Sequence, residues 1–248
     1  MNIKDKTILI TGASSGIGQA IAISCAKKGA VILINYRKHI DGANQTLKEV
    51  NKYSKGYVYQ ADLIVEKQIS KMFTDISKQV GKIDILVNNA GQHKSGSFFD
   101  NQIWEDQFEN IFFSALHVSQ YFLKQNKESN LRKIINITSY YGNIGGGNTE
   151  SIAYSCAKSA MTNMTVTLAK SNGKVLVNAI APGYVWTPGW GEMSHADKKK
   201  CEALSMINRY INADEIALMA VGILENDAVT GQVINVEGGL SLKEIEQK

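Results

Sequence analysis

Apolar residues in this chain fall into short runs, each followed by a longer helix-like segment. The runs are TILIT (7–11), AVILI (30–34), GYVYQ (56–60), IDILV (83–87), KIINIT (133–138), VLVNAI (175–180) and QVINV (232–236). Most are rich in Ile and Val and apolar at successive positions, as strands covered by helices on both faces must be. The segments between them predict helices near 17–28, 42–53, 66–79, 101–126, 152–171 and 213–225. Such alternation implies right-handed βαβ crossovers. The fold class expected is therefore α/β, a doubly wound parallel sheet of about seven strands with helices on both faces.

Composition narrows this to one unit. In 248 residues there are only 2 Pro, and no Pro- or Ser-rich linker interrupts the chain, so residues 1–248 read as a single domain. An apolar fraction of 44% and a charged fraction of 20% exclude disorder. The net charge of +4 is mild, and its basic clusters, Arg132-Lys133 and Lys198-Lys199-Lys200, lack interleaved aromatics. They read as solvated helix faces rather than a nucleic-acid surface, although an acidic substrate or carrier stays open. Cys25, Cys156 and Cys201 are odd in number and far apart, which fits a reducing compartment rather than a disulfide framework or a zinc site. No signal peptide is visible and no apolar run approaches the ~20 residues a membrane span needs, so a soluble cytoplasmic protein is expected. His39, His117 and His195 show no metal-ligand spacing, and no metal is expected.

In doubly wound sheets ligands bind beyond the carboxyl ends of the strands. After the first run comes TGASSGIG, Thr11 to Gly18. Gly12 suits a tight turn, Gly16 a close approach of pyrophosphate to backbone, and Gly18 close helix–strand packing, with bare N–H groups at the helix start favouring phosphate. The second run ends in INYRKH, 34–39, without the carboxylate that usually bonds an NAD ribose. Asn35 can bond a hydroxyl or a phosphate, and Arg37 with Lys38 either pairs with a 2′-phosphate or forms a solvated turn.

Further along stand NNAG (88–91), YSCAK (154–158), VNAIAPGYVWTP (177–188) and VTGQVINVEGG (229–239). With the glycine turn, this ordered series resembles the classical short-chain dehydrogenases/reductases over nearly the whole chain. The resemblance implies a Rossmann-type sheet and an enzyme that transfers a hydride between a nicotinamide dinucleotide, NADP(H) favoured over NAD(H) because no carboxylate ends the second run, and a carbonyl or secondary alcohol. It implies dinucleotide contacts from Gly12, Ser14, Gly16, Ile17 and Gly18. Asp62 matches the adenine-contacting aspartate, or else caps the next helix. Asn88, Ala90 and Gly91 match the stretch along the adenosine ribose, and Pro182, Gly183, Val185 and Thr187 the strip beside the nicotinamide.

Tyr154 and Lys158 lie one helical turn apart, on one face. A phenol of pKa about 10 exchanges protons poorly near neutrality, and a nearby ammonium lowers it. The resemblance makes Tyr154 the acid/base, gives Lys158 the nicotinamide ribose, and makes Ser139, after IINIT, the group that bonds the substrate oxygen. Ser139 lies 15 positions before Tyr154, farther than is usual in the family, with Gly145, Gly146 and Gly147 lending the intervening loop backbone freedom and Tyr140 or Tyr141 bordering substrate. The family's fourth catalytic member, a relay asparagine, aligns with Ile111 and not with Asn110. Consecutive helical side chains differ by about 100°, so either a helix irregularity restores Asn110 or the relay is lost. If lost, the alternative is a nucleotide-binding sensor or scaffold with little turnover.

His93, just after NNAGQ, either sits near the nicotinamide end or, the favoured reading, is a surface-loop histidine, and Cys156 is read as packing. Residues 189–208 occupy the place of the substrate lid, and Trp186, Trp190 and Met193 either line an apolar pocket or pack on the core. The NYR start with Arg132, Lys133 and Lys174 is weakly similar to 3-oxoacyl-acyl-carrier-protein reductases, which leaves an acyl thioester possible as substrate. Family resemblance also implies a homotetramer built partly across helices 101–126 and 152–171.

Overall fold

The computed structural model describes residues 1–125, 131–171 and 173–242. In chain order the elements are β1 (Thr7–Ile10), α1 (Gly16–Lys27), β2 (Val31–Tyr36), α2 (Ile40–Val50), β3 (Gly56–Gln60), α3 (Glu66–Gln79), β4 (Ile85–Asn88), α4 (Asn101–Gln107), α5 (Ser114–Lys124), β5 (Arg132–Ile137), α6 (Ile152–Ser171), β6 (Val175–Pro182), β7 (Val185–Trp186), α7 (His195–Glu202), β8 (Ile211–Asn212), α8 (Ala213–Glu225) and β9 (Val233–Val236). Seven strands form one sheet in the order β3-β2-β1-β4-β5-β6-β9, every neighbouring pair parallel. Each apolar run in the sequence became one of these strands. The short parallel pair β7–β8 and helix α7 are additions that the pattern did not show.

Strand residues alternate between two cores. Ile8, Ile10, Ile32, Ile34, Ile85 and Val87 pack with α1 and α8 on one face. The residues between them, Leu9, Leu33 and Leu86, join Ile69, Phe73, Val118 and Phe122 from α3 and α5 on the other. Both faces are therefore dry, and each fully buried Ile or Leu contributes roughly 2 kcal/mol. That explains why the runs carry no polar alternation.

The winding reverses between β1 and β4, which are neighbours although far apart in sequence. Their exits are tied side by side: Thr11 Oγ1 accepts from the N–H groups of Asn89 and Ala90 at 2.9 and 3.0 Å. Asn89 Nδ2 donates back to the carbonyls of Thr11 and Gly12. A Cβ on Gly12 would sit 2.9 Å from Ala90 Cα, and one on Gly18 2.5 Å from Asn89 Nδ2, so only glycine lets these turns meet.

The stretch predicted as one helix over 101–126 is instead α4, a π-helical turn at Phe108–Phe113, and α5; residue 126 lies outside the described residues. The basic pair Arg132-Lys133 is also corrected. Both residues are in β5 and buried. Arg132 donates to the Phe122 carbonyl at 3.0 Å and lies against its ring. Lys133 Nζ reaches the Asn226 carbonyl at 2.8 Å and Asp227 Oδ1 at 2.7 Å. Two cations in a covered strand must be paired, and these are. The thiol of Cys25 is fully buried, which pushes it up to about 12 and leaves it inert.

Candidate active site

A groove opens beyond the carboxyl ends of β1 and β4. Its wide part is a cleft of about 690 Å³, and its narrow part measures about 320 Å³; Gly12, Asn89, Gly91 and Gln92 line both. Gly12 and Gly16 have φ of +61° and +58°, the left-handed region, which turns the chain sharply into α1. Ser15 makes no side-chain cap and the first turn of α1 holds no acid, so its N–H groups face the wide cleft uncapped. This is the chemistry of a phosphate seat, and a dinucleotide fits it.

Of the positions expected along the dinucleotide, Gly16, Ile17, Pro182, Gly183, Val185 and Thr187 line the wide cleft. Ser14, Arg37, Asp62 and Ala90 line the narrow part, with Lys38 and His39 beside them. Three expectations change. Asn35 also borders the narrow part, but it is buried; its Oδ1 accepts from Gly12 N–H and its Nδ2 turns to the carbonyls of Tyr59 and Ala61. It braces the glycine turn rather than offering a free amide. Asn88 is buried in the sheet, donating to Ser119 Oγ and Asn136 Oδ1 at 2.9 Å each, and Asn89 takes its place in the groove. Gly18 lies under the turn, outside both parts. Asp62 does not cap α3, whose N-cap is Val65; it accepts from Ile64 N–H and lies 4.0 Å from Arg37 Nη1.

Ser139, Tyr154 and Lys158 converge on the wide cleft. Ser139 follows β5 and caps the following turn, its Oγ accepting from Tyr141 N–H at 3.1 Å, and its hydroxyl lies beside Tyr154. Tyr154 sits in the first turn of α6, and Lys158 one turn on places Nζ 5.8 Å from the Tyr154 ring centre. Lys158 is buried and donates to the Ile137 carbonyl at 2.7 Å. Burial lowers its pKa to about 8. Burial also raises the Tyr154 phenol above its ordinary value, with the Ser139 hydroxyl pulling the other way. The lysine was expected to bring the phenol down. Here desolvation by burial is the largest influence on the phenol.

The loop before α6 is held by contact, not by slack. A Cβ on Gly146 would strike the Tyr140 carbonyl oxygen, and one on Gly147 the Ser155 Oγ. Only Gly145, at φ +76° with open space around it, uses glycine's backbone freedom. Tyr140 and Tyr141 both reach the cleft as expected, and Tyr141 Oη meets Tyr184 Oη at 3.0 Å.

His93 is an exposed loop residue, as its setting in the sequence suggested, and it also stands at the candidate site. It lines the cleft, edge-on to Tyr154, because the chain after Gly91 folds back over α6. Its position just past NNAG, at the mouth of β4, was the only available signal. Trp190 lines the cleft, whereas Trp186 packs on Tyr210 beneath Lys198, and Met193 Sδ accepts from Tyr210 Oη. Cys201 lines the cleft as well.

At the relay position the π turn does not bring Asn110 round. Ile111 is fully buried with Ala115, Ala157 and Met161, and Tyr154 packs against that cluster. Asn110 faces the narrow part instead. Among the described residues no cluster of three or more potential metal ligands occurs. No helix among them is long and apolar enough to cross a membrane.

Residues 6–198 match the family described as short chain dehydrogenase. A 3-oxoacyl-acyl-carrier-protein reductase of Aquifex aeolicus is 32% identical, covering 97% of this chain and 99% of its own. An uncharacterized oxidoreductase of Bacillus subtilis is 30% identical over 97% of this chain and 98% of its own. Among solved structures, acetoin dehydrogenase from Enterobacter cloacae superimposes with a TM-score of 0.88 at 28% identity, covering 100% of each chain. An actinorhodin polyketide ketoreductase crystallised with NADPH gives a TM-score of 0.86 at 27% identity, over 96% of this chain and 98% of its own.

Proposed function

The chain belongs to the short chain dehydrogenase family, whose members here are NAD(P)-dependent oxidoreductases acting on C=O or CH–OH groups, and on that premise we propose that it is an NADPH-dependent reductase of small, uncharged ketones. The grouping of Ser139, Tyr154 and Lys158 at the wide end of the groove carries this reading. Bound in the groove, the dinucleotide would supply the hydride. Gly12, Gly16 and the start of α1 would hold its phosphates, the strip from Pro182 to Thr187 its nicotinamide, and Arg37 with Lys38 its 2′-phosphate. No carboxylate ends β2, which favours NADPH over NADH.

Ser139 and Tyr154 lie side by side on the wide cleft and can direct two O–H donors at one carbonyl oxygen. Burial keeps the phenol protonated at neutral pH, the form that gives a proton to a developing alkoxide. Lys158, charged below about pH 8, favours the phenolate left behind. That charge state supports reduction as the working direction. Among the described residues, the charged side chains on the wide cleft are Lys158 and Glu150, alongside Tyr141, Tyr184 and Trp190. An uncharged substrate suits such walls. With Arg132 and Lys133 inside the protein, less supports an acidic carrier, so free ketones are favoured over carrier-bound acyl thioesters.

NADPH oxidation with a panel of simple ketones, diketones and 3-oxoacyl thioesters tests this. Tyr154→Phe is expected to cut kcat by roughly 10²–10⁴-fold with NADPH affinity retained. Tight NADPH binding without turnover on any substrate, unchanged in Tyr154→Phe, would support the second reading, a nucleotide-binding protein with little catalysis. Ile111 at the relay position favours that reading.

The half-buried row of Phe112, Phe113 and His117 beside α6 supports assembly across these helices, proposed as a homotetramer. Sedimentation at the mass of one chain would remove that component of the reading. Three free thiols support a reducing, cytoplasmic setting.

A further inference from the structure

The narrow part of the groove contains an asparagine whose partner is an arginine, not the catalytic tyrosine. In the π turn at Phe108–Phe113 the side chain of Ile111 goes inward, against Gly91 and the Ala157–Met161 side of α6. Asn110, one residue earlier, points across the groove. Its Nδ2 donates to the Asp106 carbonyl at 2.8 Å, which identifies that end as nitrogen and leaves Oδ1 facing outward. Oδ1 accepts from Arg37 Nη1 at 3.0 Å. Among the described residues the Arg37 side chain otherwise has only a distant ion pair with Asp62 at 4.0 Å, and it is 46% exposed.

We propose that Asn110 is a positioning residue for cofactor choice: it holds the Arg37 guanidinium at the edge of the narrow part, where the remaining N–H groups can receive a 2′-phosphate. The inference rests on the NADPH reading above. An arginine on an exposed loop samples many rotamers, and a single fixed acceptor on Nη1 leaves the rest of its planar fork pre-aimed. An amide suits this place better than a carboxylate. An aspartate in its stead would pair with Arg37 outright and repel phosphate, whereas Asn110 orients the cation and leaves its charge unspent. The family's relay side chain is thus replaced by Ile111, while its sequence neighbour serves the far end of the cofactor.

Calorimetric titration of the whole protein with adenosine 2′,5′-bisphosphate and with AMP reads this without turnover. Asn110→Ala is expected to weaken the bisphosphate by roughly fivefold to tenfold and AMP by less than about twofold. Asn110→Asp should weaken the bisphosphate further. In an Arg37→Met background Asn110→Ala should have no additional effect. Equal weakening of both ligands, no weakening of either, or an undiminished effect without Arg37 would overturn the proposal. If the unmutated protein binds both ligands equally, the NADPH reading itself fails, and the proposal with it. In kinetics, the ratio of kcat/KM for NADPH to that for NADH should fall in Asn110→Ala. A fall in kcat shared by both cofactors would point to a catalytic relay and against positioning.

Discussion

The imidazole of His93 stands edge-on to the ring of Tyr154, with 4.8 Å between centres and 89° between planes, while its Nε2 lies 2.8 Å from Ser151 Oγ. Burial holds its pKa below the ordinary value, so the ring is neutral at pH 7. The chain therefore covers its acid/base with a second polar ring. His93→Phe keeps the edge contact and deletes the hydrogen bond. We expect kcat/KM for the ketone to fall about tenfold, roughly 1.4 kcal/mol, with NADPH affinity unchanged. Steady-state kinetics beside nucleotide titration checks this, and an unaltered kcat/KM would reduce His93 to packing.

The pH profile follows from Lys158. Its pKa is lowered from 10.5 to about 8, so the ammonium is present below pH 8 and lost above it. Reductive kcat/KM should fall as pH rises through about 8. Lys158→Arg, charged throughout, should move the falling limb upward. A profile flat to pH 10 in the unmutated protein would count against a charged lysine in the reaction.

Gly147→Ala presses a methyl group onto Ser155, next to Tyr154. Thermal unfolding should show a loss of roughly 1–3 kcal/mol, and kcat should drop because the start of α6 shifts. Gly145→Ala meets open space and bears only the cost of its φ of +76°, about 1 kcal/mol, with kcat preserved. Equal effects on kcat would contradict the contact explanation.

Lys133→Ala removes a buried cation from Asp227 and the Asn226 carbonyl. Asp227 is half exposed, so the loss should be roughly 1–3 kcal/mol rather than that of a fully buried pair. A lower melting temperature with unchanged KM for free and carrier-bound substrates is expected. A raised KM for a carrier substrate alone would restore the docking role that β5 denies it.

The strands were legible because a parallel sheet covered on both sides demands apolar residues at every position, as in Ile8-Leu9-Ile10. The glycine turn and the Tyr154–Lys158 spacing were legible because backbone reach and helical period translate directly into positions. What escaped depended on contacts distant in sequence. Nothing local says that Lys133 finds Asp227, that Asn35 is consumed by the turn of Gly12, or that the loop after Gly91 lays His93 on Tyr154. The π turn escaped too, since FENIFF has no composition that distinguishes it from ordinary helix.

A Cβ on Gly16 would come within 3.2 Å of Thr187 Cγ2. The phosphate seat and the root of the segment over the substrate therefore share a wall one atom thick. A nucleotide seated at Gly16 would lie against the footing of Thr187, and nucleotide is expected to add before ketone; product-inhibition kinetics showing random addition would count against this.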